Sequence, residues 1–311
     1  MGVGCVVASL VARAQPRNHF PILDAHIHLF DPTRRGGVPW PEKSDAVIYK
    51  PALPARYEQI TRSMGVVGAI AIEASPLESD NDWVLRQAAR NPIIVGMVGN
   101  LIPGTATFGA QLERLRANPL FLGIRCGNLW DRDLFLDRMK PGFMTDLARL
   151  AAAGLVLETA NPDGRLIEAI LDISQQIPEL KIVIDHLPAA VVPDEKQPRE
   201  EYWAHLRTLA RNPRVFIKLS EVPVRVGGDV PKEVSFYKER LDAIWDVFGE
   251  DHILFGSDGP NSDHLASYEE TLKLVRDYVA TKGAAARGKY FWSNSIAAYG
   301  WRPRRPDQRM A

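Results

Sequence analysis

An α/β fold, one parallel sheet closed into a single (β/α)8 barrel, is predicted by three features of the 311-residue chain. Eight short runs of β-branched and apolar residues recur, and each leads into a segment of helical periodicity. Four of those segments stop at a proline (Pro92, Pro119, Pro178 or Pro213) that opens directly onto the next run. Proline cannot continue a helix and leaves the residue before it extended. The irregular inserts 31–54, 188–199 and 221–234 all follow a run, on the side where such a barrel builds its reactive face.

The runs span 22–28, 66–74, 93–99, 120–126, 155–159, 181–186, 215–219 and 253–257. Most are almost wholly apolar, as strands covered on both faces must be. The segments between them place apolar residues three and four apart, among them ARYEQITRSMG, DWVLRQAARNP, RLIEAILDISQQIP and FYKERLDAIWDVFG. SYEETLKLVRDYVATKG follows the eighth run. An open doubly wound sheet is the competing arrangement, but no G-x-G-x-x-G follows the first run and no phosphate-binding P-loop occurs.

Residues 1–17 stand apart as a truncated export signal or a disordered extension. MGVGCVVASLVARAQ has an apolar stretch followed by Ala-Arg-Ala, the small-x-small pattern of a signal-peptidase site, but no basic start. The protein is expected in the periplasm or outside the cell if this is a signal, and in the cytoplasm otherwise. The folded domain is placed at 18–302 and a flexible tail at 303–311. Formal net charge is +0, and no long run of either sign argues for nucleic acid or a membrane surface as partner. Two cysteines, Cys5 and Cys126, exclude a disulfide framework and a cysteine-based zinc site. The expected partner is a small-molecule substrate.

In a barrel of this kind, polar residues at the C-terminal ends of the strands converge on one pocket. Strand one ends in Asp24, His26 and His28, strand two in Glu73, strand four in Arg125 and strand five in Glu158. Strand six ends in Asp185 and His186, strand seven in Lys218 and Ser220, strand eight in Ser257 and Asp258. So many ionisable groups at one end of apolar strands would be costly to bury singly, and a shared polar site accounts for them. His26 and His28, two apart on a strand, face the same way. His26, His28, His186 and Asp258 form a set able to hold one divalent metal, with zinc suited to its nitrogen-rich donors. The same groups can act without metal, with Asp258 as general base and the histidines with Arg125 stabilising an oxyanion. Trp40, Asn261 and His264, on inserted loops, are further pocket residues by position.

The pieces DAHIHLFDP, GIRCG, KIVIDHLPA, FIKLSEV, ILFGSDGPNSD and FWSNSIAAYG occur in that order from Asp24 to Gly300. Together they resemble the amidohydrolase superfamily, and in detail its amidohydrolase 2 branch of sugar-acid and pyrone-dicarboxylate lactonases. Glu158 stands where metal-rich members carry a histidine, and Arg125 where they carry a bridging lysine, which argues against a binuclear centre. The resemblance implies a hydrolase that opens a carboxylated or polyhydroxylated lactone. By their positions Glu73, Glu158, Lys218, Trp40, Asn261 and His264 are candidate substrate contacts, with an ion pair inside the barrel mouth as the other role open to Glu158 and Lys218. Zinc-dependent hydrolysis or decarboxylation on the same four residues is the alternative within the superfamily. A non-catalytic barrel that binds sugar acids would be marked by loss of the general base, and Asp258 is present.

Overall fold

The computed structural model describes residues 20–309; the expected signal or extension at 1–17, with Cys5, and His19 lie outside them. Eight strands alternate with helices: β1 Ile22–His28, β2 Val66–Ile72, β3 Ile94–Gly99, β4 Phe121–Arg125, β5 Val156–Glu158, β6 Lys181–Ile184, β7 Val215–Leu219 and β8 Ile253–Phe255. Each pairs in parallel with the next, in sequence order. The seam between β8 and β1 is bridged just past the end of β8. Asp258 N donates to the His26 carbonyl at 2.9 Å, and His28 N to the Gly259 carbonyl at 2.8 Å. The result is the nearly closed single (β/α)8 barrel that the alternation predicts.

Alternation within each strand separates two apolar layers. One set, including Leu23, Ile70, Val95, Val98, Val156, Val183 and Leu254, fills the barrel interior. The other, including Ile27, Ala69, Met97, Leu157, Ile182 and Ile217, packs outward against the helices. The helices start where their sequences signal. Asp163 caps Gly164–Gln176 by accepting from Leu166 N at 2.8 Å, and Ser267 with Glu270 forms a capping box at Tyr268–Ala280.

The N-terminal ends of the strands are closed by the chain's last turns. Trp292, Tyr299 and Trp301 join the interior cluster, with Asn294 Nδ2 donating to the Ile253 carbonyl at 2.9 Å and Lys181 Nζ to the Ala297 carbonyl at 2.7 Å. Polar chemistry is thereby left to the opposite mouth.

Residues 303–309 are docked where a flexible tail was expected. Gln308 is fully buried: its Nε2 donates to the carbonyls of Val67 and Pro92, and its Oε1 accepts from Arg304 N. Arg304 reaches the carbonyls of Ala88 and Ile94. A polar tail satisfies carbonyls left open by helix and strand ends, which hydropathy alone does not reveal. Truncation after Trp301 strands those acceptors, so the melting temperature should fall by roughly 3–10 °C, at about 1–3 kcal/mol for the buried groups lost. An unchanged melting curve would contradict a structural role for the tail.

Candidate active site

The cavity at the C-terminal mouth is lined by residues from the ends of seven of the eight strands or the loops after them. His28 comes from β1, Trp40 from the insert after it, Glu73 from β2, and Arg125 and Trp130 from β4 and its loop. Asn161 follows β5, His186 β6, Glu221 β7, and Asp258 with Asn261 follows β8.

Backbone conformation marks the same places. The non-glycine residues with positive φ among those described are Trp130, Asp131, Asn161, His186, Glu221 and Asp258. All but Asp131 line the cavity. A left-handed backbone is unfavourable for most side chains and persists where the surroundings impose it, commonly at functional sites. Here it turns the chain after β5, β6, β7 and β8 and in the loop after β4, where the side chains line the mouth. The close approach is shared by Gly256, where an added Cβ would lie 2.7 Å from that of His26.

Asp258 sits at the centre. Its Oδ1 lies 3.1 Å from His28 Nε2, 3.4 Å from His26 Nε2 and 3.8 Å from His186 Nε2, and its Oδ2 accepts from Asn261 Nδ2 at 2.7 Å. Burial alone would raise its carboxyl, but the three histidines outweigh burial and hold it well below the usual carboxylate range. His186 is lowered to about 4, chiefly by burial, with Arg125 and Lys218 adding to it against the pull of Asp258 and Asp185. Its Nδ1 is 2.9 Å from Ser220 Oγ, which orients the ring. His28 Nδ1 lies 3.1 Å from the Ile72 carbonyl, a pure acceptor, so that nitrogen carries a proton and Nε2 faces Asp258.

The predicted site residues fall into two layers. His28, His186, Asp258, Arg125, Glu73, Trp40 and Asn261 line the cavity. His26 does not: it is fully buried beneath His28, His186 and Asp258, with its ring 4.4 Å from that of His186. Glu158 and Lys218, expected as substrate contacts, are likewise sealed below the mouth. Lys218 Nζ pairs with Glu158 Oε1 at 2.6 Å, and the Tyr299 hydroxyl donates to Glu158 Oε2 at 2.5 Å. Both side chains point inward from their strands but too deep to reach a ligand. His264 is also outside the cavity. Its Nε2 meets Asp45 Oδ2 at 2.9 Å, so it pins the insert after β1 to the loop after β8.

Glu221, Asn161 and Trp130 are cavity residues that strand-end reasoning passed over; each lies two or more positions beyond its strand. Glu221 is half-buried with only long contacts, 3.5 Å from Asn261 Nδ2 and 3.8 Å from His186 Nε2. Burial first, then the adjacent Asp258, raises its carboxyl. Arg125, which lines the cavity, and Arg132, which pairs with the lining Glu73, both have internal partners. Arg125 Nε donates to Asp185 Oδ2 at 3.1 Å, and Arg132 Nη2 grips Glu73 at 2.9 and 3.1 Å.

His26, His186 and Asp258 offer ligand atoms within 4.8 Å of one another, and His28 Nε2 is 3.1 Å from Asp258 Oδ1. Such a His/Asp group can hold one divalent metal. Among the described residues no helix is long and apolar enough to cross a membrane.

Residues 23–301 match a family model described as amidohydrolase. A curated L-fucono-1,5-lactonase of Burkholderia ambifaria is 28% identical over 286 residues, covering 89% of this chain and 94% of that protein. A second L-fucono-1,5-lactonase, from Burkholderia multivorans, is 24% identical and covers 93% of this chain and 98% of its own. Among solved structures, an amidohydrolase from Burkholderia multivorans with bound zinc superimposes with a TM-score of 0.77 at 21% identity, covering 91% of this chain and 100% of that one.

Proposed function

The chain belongs to the amidohydrolase family, and on that premise we propose that it is a lactonase opening an uncharged, polyhydroxylated sugar-acid lactone. One observation carries the substrate class: the charge balance of the cavity. Arg125 is the cation lining it, and Asp185 already neutralises that guanidinium from below, while Glu73, Glu221 and Asp258 face the same space. Arg132 neutralises Glu73 in turn, so a carboxylated lactone would meet Glu221 and Asp258 and no free cation among the described residues there. Ring hydroxyls would find acceptors and amides in Glu221, Asn161 and Asn261. The two lactonase relatives named above act on a substrate of this uncharged kind, which supports the reading.

In the proposed reaction water attacks the ring carbonyl and Asp258 takes its proton. The carboxylate is held ionised, so its oxygens carry no proton before the attack. Asp258 then returns that proton to the ring oxygen as the oxygen leaves. Arg125 Nη2, 3.5 Å from His186 Nε2, places a donor where the carbonyl oxygen gains charge. Trp40, edge-on to His28 with ring centroids 5.5 Å apart, walls the cavity.

The donor set also fits a divalent metal. His28 Nε2 and Asp258 Oδ1 are facing acceptors, and a cation held by His26, His28, His186 and Asp258 would satisfy them. When bound it would polarise the carbonyl and acidify water.

The test is a panel of neutral sugar-acid lactones and carboxylated lactones, assayed by acid release with and without chelator. Neutral lactones should be preferred by at least about tenfold in kcat/KM, equivalent to roughly 1.4 kcal/mol. Preference for a carboxylated ring would overturn the substrate class, and no turnover of any lactone would overturn the activity.

A further inference from the structure

Lys218 lies next to last on β7, is fully buried and touches nothing in the cavity. Its Nζ is 2.6 Å from Glu158 Oε1, 3.1 Å from Asp185 Oδ1 and 3.1 Å from His26 Nδ1. An ammonium group has protons and no lone pair, so its contact with a ring nitrogen runs one way. His26 Nδ1 must accept, and a neutral imidazole then carries its single proton on Nε2.

That Nε2–H faces two acceptors, His28 Nε2 at 3.3 Å and Asp258 Oδ1 at 3.4 Å. These approach each other to 3.1 Å, and the proton on His28 Nδ1 is committed to the Ile72 carbonyl. Two facing lone pairs need a positive charge or a proton beside them. We propose that Lys218 fixes His26 as the Nε2–H tautomer, making His26 a positioning residue whose shared proton holds Asp258 and His28 together. In that state His26 offers no lone pair to a metal.

The opposite tautomer has its acceptor in place. Asp185 Oδ1 lies 3.5 Å from His26 Nδ1 and is contacted at 3.1 Å by the Lys218 ammonium. Without that ammonium, Nδ1–H can turn to Asp185, which bares Nε2 toward His186 and Asp258. Lys218 thus selects between a proton and a cation at the same point. The catalytic consequence rests on the lactonase reading, but the tautomer and metal uptake are measured without substrate, so the two fail separately.

The experiment is side-chain 15N NMR of histidine-labelled full-length protein, with the His26 signals assigned through His26→Gln. The expected result is an unprotonated Nδ1 and a protonated Nε2. A protonated Nδ1, or a doubly protonated ring, would overturn the proposal. The double variant Lys218→Met, Glu158→Gln removes one charge of each sign and so keeps the buried balance. It should invert the His26 signals and bind zinc at least about tenfold more tightly in equilibrium dialysis, the scale on which outer partners tune metal affinity. Unchanged signals with equal zinc affinity would sink the idea. The wild-type spectrum decides alone if the double variant does not fold.

Discussion

Asp258→Asn is expected to lower kcat/KM for lactone opening by at least about a thousandfold while leaving the fold in place, as loss of a general base does. The substitution keeps the size and shape of the side chain while removing its proton affinity. Asp258 occupies a left-handed backbone with φ of 59°, which asparagine also tolerates. The amide oxygen can keep accepting from Asn261 Nδ2, now at 2.7 Å, and the new amide protons can reach His28 Nε2. Burial is undisturbed, so the melting temperature should stay within a few degrees. The measurement is initial-rate acid release, corrected for spontaneous ring opening, beside a thermal melt. A folded variant with full activity would remove Asp258 from the mechanism. Zinc content measured on the same samples separates loss of a base from loss of a ligand.

The barrel was legible because its signals are local and repeated. Apolar runs of strand length, helical segments of period 3.6 and prolines at their junctions all follow from rules acting over a few residues. Asp258 and His186 were legible as polar residues just past apolar runs. Depth was not. Glu158 and Lys218 end their strands much as His28 does, yet they lie under the mouth while His28 lines it. Strand tilt and stagger set that difference, and neither is written in local periodicity. Glu221, Asn161 and Trp130 were missed for another reason. They reach the cavity through left-handed turns after the strands, and none of them is a residue type that announces φ above zero as glycine does. From sequence, an ion pair between Glu158 and Lys218 inside the barrel mouth is the alternative to substrate contact. The structure makes it the floor beneath the histidines.

Asp24→Ala is expected to cost about 3–5 kcal/mol of folding stability, a large share of the 5–15 kcal/mol typical of a folded domain. Asp24 is fully buried on β1 and receives four donors. Its Oδ1 accepts from Ser257 N at 2.9 Å and His26 N at 3.2 Å, and its Oδ2 from the hydroxyls of Tyr57 and Tyr268, each at 3.0 Å. Ser257 directly precedes Asp258, so this carboxylate both ties β8 to β1 at the seam and sets where the proposed base stands. Alanine leaves two buried backbone N–H groups without acceptors, each costing about 1–3 kcal/mol. The Asp24→Asn substitution would be milder. The amide oxygen can keep the backbone donors, and the amide nitrogen can give protons to the tyrosine hydroxyls, which accept as well as donate. Urea unfolding should therefore rank wild type above Asp24→Asn and Asp24→Ala last, with activity lost in the same order as the seam loosens Asp258. Equal urea midpoints for wild type and Asp24→Ala would show that the barrel closes without this carboxylate. The backbone bonds from Asp258 to His26 and from His28 to Gly259 would then have to hold the seam unaided.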